Sequence, residues 1–145
     1  ALGPVPQHWQ SLGLDQQRHV HSASYDIDCN VKILLDAFLE TYHLKSIHPN
    51  TVDRFLDAHG TYVKLWDRGH SMMVTPHRRA EWSDPGAKGM YAIPGAARIF
   101  AEQNPSYHVY PNLITPPAPT GIPLITFWPR GSRAMKSAKA IWIRA

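Results

Sequence analysis

Residues 19–28 alternate, with Val20, Ser22, Ser24 and Asp26 on one side and His19, His21, Ala23, Tyr25 and Ile27 on the other, the period of a half-buried strand. Asn30 then offers an N-cap, and the period changes. Over residues 32–42, Leu34, Leu35, Phe38, Leu39 and Tyr42 recur at helical spacing, which assigns Tyr42 to the core. Lys32, Asp36, Glu40 and His43 form the opposite stripe, most simply a water-facing row of charge pairs. Residues 51–56 predict a helical turn, and 61–66 with 70–75 a hairpin around Asp67-Arg68-Gly69. After an irregular stretch over 76–95, a short helix is predicted over 96–103 and strands near 107–114, 124–128 and 138–143, two of them joined by the Pro-rich segment 116–121. Pro4, Pro6 and Gly13 mark residues 1–18 as a connector, with one ordered domain over 19–145. Antiparallel strands with a few helices make the fold class α+β.

Where the amphipathic helix must end, the sequence reads Glu-Thr-Tyr-His-Leu-Lys-Ser-Ile-His-Pro from Glu40 to Pro49. On an unbroken helix His43 and His48 would point roughly 140° apart. Pro49 disfavours α geometry at His48 and pushes that residue towards an extended conformation, so His43 projects from the last helical turn and His48 swings back from the loop. Two converging imidazoles beside a carboxylate suit iron or zinc.

Residues 30–48, NVKILLDAFLETYHLKSIH, resemble the mononuclear-iron segment of the catalytic α subunit of Rieske-type non-haem iron oxygenases, the aromatic-ring-hydroxylating dioxygenases and related demethylases. Asn30, Lys32, Asp36, Glu40, Tyr42, His43, His48 and Pro49 carry the pattern, and Val31, Ala37 and Glu40 depart from it. Glu40 stands where many members have Asp, keeping the charge with one more methylene. Tyr107-His108-Val109-Tyr110-Pro111-Asn112-Leu113 and Trp128-Pro129-Arg130-Gly131 look like two later strand ends of the same family.

The resemblance implies a helix-grip domain related to START and Bet v 1-like folds, an antiparallel sheet curled around helices that leaves a cavity for substrate. It implies an oxidoreductase in which Fe(II), held by His43 and His48, activates O2 to hydroxylate or demethylate an organic, aromatic substrate. Glu40 takes the place of the carboxylate that bridges to a cluster-ligating histidine of a neighbouring subunit; a carboxylate near a metal-bound imidazole also fixes its tautomer, and a position three residues before His43 permits either use. The family's third iron ligand is a downstream Asp; no acid follows Glu102, so this carboxylate is expected to be missing, with Asp53 or Asp57 as substitutes. Other implied parts are a [2Fe–2S] cluster on a domain outside this chain, a ferredoxin or reductase, and a homotrimer in the intact enzyme.

Composition narrows the rest. A chain of 145 residues, 43% hydrophobic, fits one domain. Its one cysteine, Cys29, leaves no internal disulfide and no Rieske cluster, which takes two Cys and two His. No stretch is apolar enough to span a bilayer and no secretion signal opens the chain, so a cytoplasmic protein without membrane contact is expected. The start at Ala1 and the end inside a predicted strand lead to the expectation of an incomplete catalytic domain. The net charge of +4 gathers in Arg130, Arg133, Lys136, Lys139 and Arg144, whose spacing suits a solvated strand face better than nucleic acid. Large apolar candidates for the pocket wall are Phe55, Met72, Met73, Met90, Tyr91, Phe100 and Phe127. His19 and His21, with His59 or His70, offer a second metal site of the kind that serves zinc hydrolases. The rival to the oxygenase is a non-catalytic helix-grip domain that binds a hydrophobic small molecule and uses His43 and His48 structurally.

Overall fold

A computed structural model describes residues 2–79, 88–129 and 138–144. Seven strands form one antiparallel sheet in the order β1-β7-β6-β5-β4-β3-β2. They are β1 (His21–Ile27), β2 (Tyr62–Leu65), β3 (Ser71–Pro76), β4 (Gln103–Val109), β5 (Leu113–Thr115), β6 (Pro123–Pro129) and β7 (Ala138–Arg144). Among the described residues they are accompanied by the α-helices α1 (Val5–Ser11), α2 (Val31–Ala37), α3 (Leu44–Ile47) and α4 (Ile99–Glu102). Among the described residues no helix is long and apolar enough to cross a membrane.

Register decides which side chains meet. Met72 pairs with Tyr107 and Tyr107 with Thr115, so these share one face; Met73 pairs with Ser106, His108 with Ile114 and Ile114 with Ile125, so these share the other. The first face is covered by α1 and α4: Met72, Val74 and Tyr107 are buried with Val5, Leu12 and Phe100. On the second face, Ile114, Ile125 and Phe127 pack against Val31, Leu34, Leu35 and Phe38 of the α2 region. A buried side chain of this size contributes about 1.5–3 kcal/mol.

Several expected elements differ in the structure. The segment read as a connector holds α1, and Val5 and Leu12 are core residues. Pro4 and Pro6 had suggested a loop, yet a first helical turn has no partner for their missing N–H groups and tolerates proline. The strand predicted over 107–114 is two strands: β4 reverses through Tyr110-Pro111-Asn112 into β5. Asn112 then ties that hairpin to β6, its carbonyl accepting from Phe127 N–H at 3.1 Å and its side-chain amide donating to the Phe127 carbonyl at 3.2 Å. The 61–75 hairpin forms as expected, turning through Arg68 and Gly69, both at left-handed φ of 63° and 78°. A Cβ at Gly69 would stand 3.2 Å from the Tyr110 ring, so a side chain is resisted there by backbone and by space. Arg130 and Gly131 of the second strand-end motif, and Arg133 and Lys136 of the basic tail, lie outside the described residues.

Candidate metal centre and its cavity

The helix that carries the motif is shorter than its apolar spacing predicts. Asn30 caps it as expected, its Oδ1 accepting from Lys32 N–H at 2.9 Å, but α2 ends at Ala37 with Phe38 as its C-cap. Phe38 still reaches the sheet, its ring centroid 5.7 Å from that of Phe127. The chain then turns through residues 39–42 and restarts as the single turn α3, with His43 as its N-cap and His48 as its C-cap. His43 therefore opens a new helix and does not end an old one. His48 departs from α geometry at φ −120° and ψ 38°, ahead of Pro49, though it is not extended as the sequence predicts.

This bracket brings the two rings together: the His43 and His48 centroids are 5.4 Å apart with planes at 76°. Glu40 lies beside them. One of its oxygens contacts His43 Nδ1, and the other accepts the backbone N–H of Tyr42 and, at 3.2 Å, that of His43. The carboxylate thus ties down the backbone just ahead of α3 and contacts the His43 ring. With Nδ1–H donating to the carboxylate oxygen, the lone pair of His43 lies on Nε2. The backbone behind His48 is also tied down, its carbonyl accepting from Thr51 and Asp53 N–H, each at 3.2 Å.

Glu40, His43 and His48 all line one cavity of about 870 Å³. Its roof is the α2–α3 region, including Phe38, Thr41, Leu44 and Ile47. Its floor is the second face of β3 and β4, with Met73, Thr75, Asn104 and Ser106. Of the apolar wall candidates, Met73 alone lines it. Phe100 and Met72 are core on the opposite face, Phe127 is core under α2, Tyr91 and Met90 are exposed, and Phe55 sets its ring against His77. Tyr42, expected inside, is 88% exposed because the break after α2 turns it outward; Thr41 and Leu44 are buried in its stead.

The donor types present, two imidazoles side by side, suit a divalent transition ion. The contact of Glu40 with His43 Nδ1 is the kind of carboxylate–histidine support that metal-bound imidazoles commonly have. Among the described residues no group of three His, Cys, Asp or Glu gathers around a point, here or at the other histidines. Asp53 pairs with Arg78 at 3.5 Å, and Asp57 accepts from His59 N–H at 3.1 Å. His70 Nδ1 accepts from Tyr110 N–H at 3.1 Å, on the rim of the β4–β5 hairpin.

Sequence reasoning missed the polar floor. Thr75, Asn104 and Ser106 sit in strands whose alternation locates a face and does not say that the face looks into a cavity.

Comparison with known proteins follows the same outline. A family profile described as the ring hydroxylating alpha subunit (catalytic domain) matches residues 14–139. Among solved structures, the quaternary ammonium Rieske monooxygenase CntA in complex with the inhibitor MMV12 matches with a TM-score of 0.67 at 14% identity, covering 98% of this chain and 34% of that one. A quaternary ammonium Rieske monooxygenase analysed for carnitine oxidation by gut microbiota and inter-subunit electron transfer gives 0.69 at 13%, covering 99% and 35%. CntA in complex with L-carnitine gives 0.65 at 12%, covering 99% and 33%. At these identities the likeness is one of fold, a helix-grip-like catalytic domain, and the chain spans about a third of the length of those structures. No curated protein matches the chain.

Proposed function

This chain belongs to the family of ring-hydroxylating α-subunit catalytic domains, and on that premise we propose that it is part of the catalytic domain of a cytoplasmic Rieske-type oxygenase acting on an organic substrate, by hydroxylation or demethylation. The observation that carries the proposal is the clasp of Glu40 on His43, with His48 alongside, at the wall of a cavity large enough for such a substrate.

In this reading His43 offers Nε2 and His48 one ring nitrogen to a ferrous ion, and the third carboxylate comes from outside the described residues. A ferrous ion there supplies the one-electron chemistry that couples O2 reduction to oxidation of a C–H or C=C bond. The protein does the remaining work. Glu40 holds the Nδ1 proton of His43 and fixes its ring. By its family position it is also the carboxylate that would accept a hydrogen bond from a cluster-ligating histidine of a neighbouring subunit, in a homotrimer fed by a ferredoxin or reductase and carrying its [2Fe–2S] clusters on separate domains. Leu44, Leu56 and Met73, all buried, supply apolar wall that keeps water from the reacting end.

The test is an anaerobic Fe(II) titration of the chain. One ion per chain is expected, with binding weakened at least about tenfold, on the order of one lost ligand, in His43→Ala and in His48→Ala. Equal binding by the wild type and both variants would overturn the assignment and leave the rival reading, a cavity domain indifferent to iron.

A further inference from the structure

The cavity floor carries chemistry that iron binding leaves unused. Met73 pairs with Ser106 and Thr75 with Asn104, so the four side chains share one face and all line the cavity. The Thr75 hydroxyl is engaged, 3.1 Å from that of Thr61. Ser106 differs: it is 3% exposed, and its Oγ has no hydrogen-bond partner among the described residues. Burying a hydroxyl without a partner is costly, and buried polar groups are almost always paired. A group arriving in the cavity would supply that partner. Asn104, two residues away on the same strand face, adds a donor and an acceptor.

The charge of the lining narrows what can arrive. Among the described lining residues the ionisable side chains are Glu40, His43 and His48, and the Glu40 carboxylate is already engaged by His43 and two backbone N–H groups. No Lys or Arg of the described lining faces the cavity to hold a carboxylate. Phe38 is the one aromatic ring of that lining besides the imidazoles, too little to cage a quaternary ammonium.

We infer that Ser106 and Asn104 form a polar anchor for a neutral, largely apolar molecule bearing one amide, carbonyl or hydroxyl group, whose apolar body extends towards His43 and His48. The inference rests on the cavity being the substrate site of the proposed oxygenase, and it names the substrate class that site accepts.

Four probes with one ring system separate the possibilities: 2-naphthamide, 2-methylnaphthalene, 2-naphthoate and trimethyl(2-naphthyl)ammonium, titrated into the chain with naphthyl fluorescence as the readout. The amide is expected to bind about five- to tenfold more tightly than the methyl compound, the worth of roughly one hydrogen bond, and the two ions no more tightly than the methyl compound. Ser106→Ala should bring the amide down to the methyl compound's affinity and leave the latter's affinity unchanged, which also reports that the variant is folded. Asn104→Leu should cut the amide's advantage as well. Tightest binding by either ion, an amide advantage that survives both substitutions, or no binding of any probe by the folded chain would overturn the inference. Fe(II) uptake, measured separately on the same samples, reports on the metal reading alone, so the two failures are distinguishable.

Discussion

Glu40 does two jobs with one carboxylate, and substitutions separate them. It accepts the N–H of His43 at the start of α3, and it holds the His43 ring. Glu40→Ala should cost about 0.5–1.5 kcal/mol, the usual net worth of a lost hydrogen bond, read from the urea midpoint at unchanged slope. Glu40→Gln keeps an acceptor and should lose less than half as much. Both should release the His43 tautomer: nitrogen NMR is expected to show the Nδ1–H form in the wild type and a mixture in the variants. A ring that stays in one tautomer in both would mean that something else holds it.

Among the elements, α2 depends on contacts made far from its own sequence. Phe38, its C-cap, lies against Phe127 of β6, and Phe127 is 2% exposed. Phe127→Ala should cost about 3–5 kcal/mol and, by loosening the α2 end, raise hydrogen exchange through α3. At α1, His8 Nδ1 lies 2.5 Å from the Tyr107 phenol, and burial holds the imidazole below its ordinary 6.5 and the phenol above its ordinary range. Burial also lowers His77 and His108. The sign follows from proton counting: below about pH 6.5 the unfolded chain takes up protons that the folded chain refuses, so stability is complete above that pH and falls as pH drops towards the lower folded values. His8→Gln, which keeps an acceptor for Tyr107 without titrating, should flatten the acid side of a plot of urea midpoint against pH.

These elements also show what a sequence makes legible. Asn30 acts through a local backbone rule and could be read directly, as could the family pattern that includes it, whereas Pro49 correctly marks a helix end at His48 but not the extended backbone or the break ahead of His43. The helix break after Phe38 could not, because Leu39 and Glu40 are good helix formers and no Gly or Pro warns of it. The break is accompanied by one long-range contact, Phe38 against Phe127, and one local one, Glu40 with His43. Ser106 and Asn104 were illegible for another reason: strand alternation gives a side and not what lies beyond it.

At the scale of the molecule, the sheet is sandwiched, with α1 and α4 on one face and α2 and α3 on the other. The covering by α1 is therefore structural. Deleting residues 2–12 removes Val5 and Leu12 from the core shared with Tyr107 and Phe100 and should abolish cooperative thermal unfolding in circular dichroism; a deletion that melts like the full chain would show the first face to be stable bare.

The order of strands carries a last implication. Among the described residues β7 inserts between β1 and β6, so β1 finds its partner only more than 100 residues later in the chain. Closing a loop that long costs entropy before any ladder rewards it. During synthesis β1 must wait, unpaired, until residues 138–144 have left the ribosome, and a refolding experiment on this chain should find the β1 amides late to gain protection.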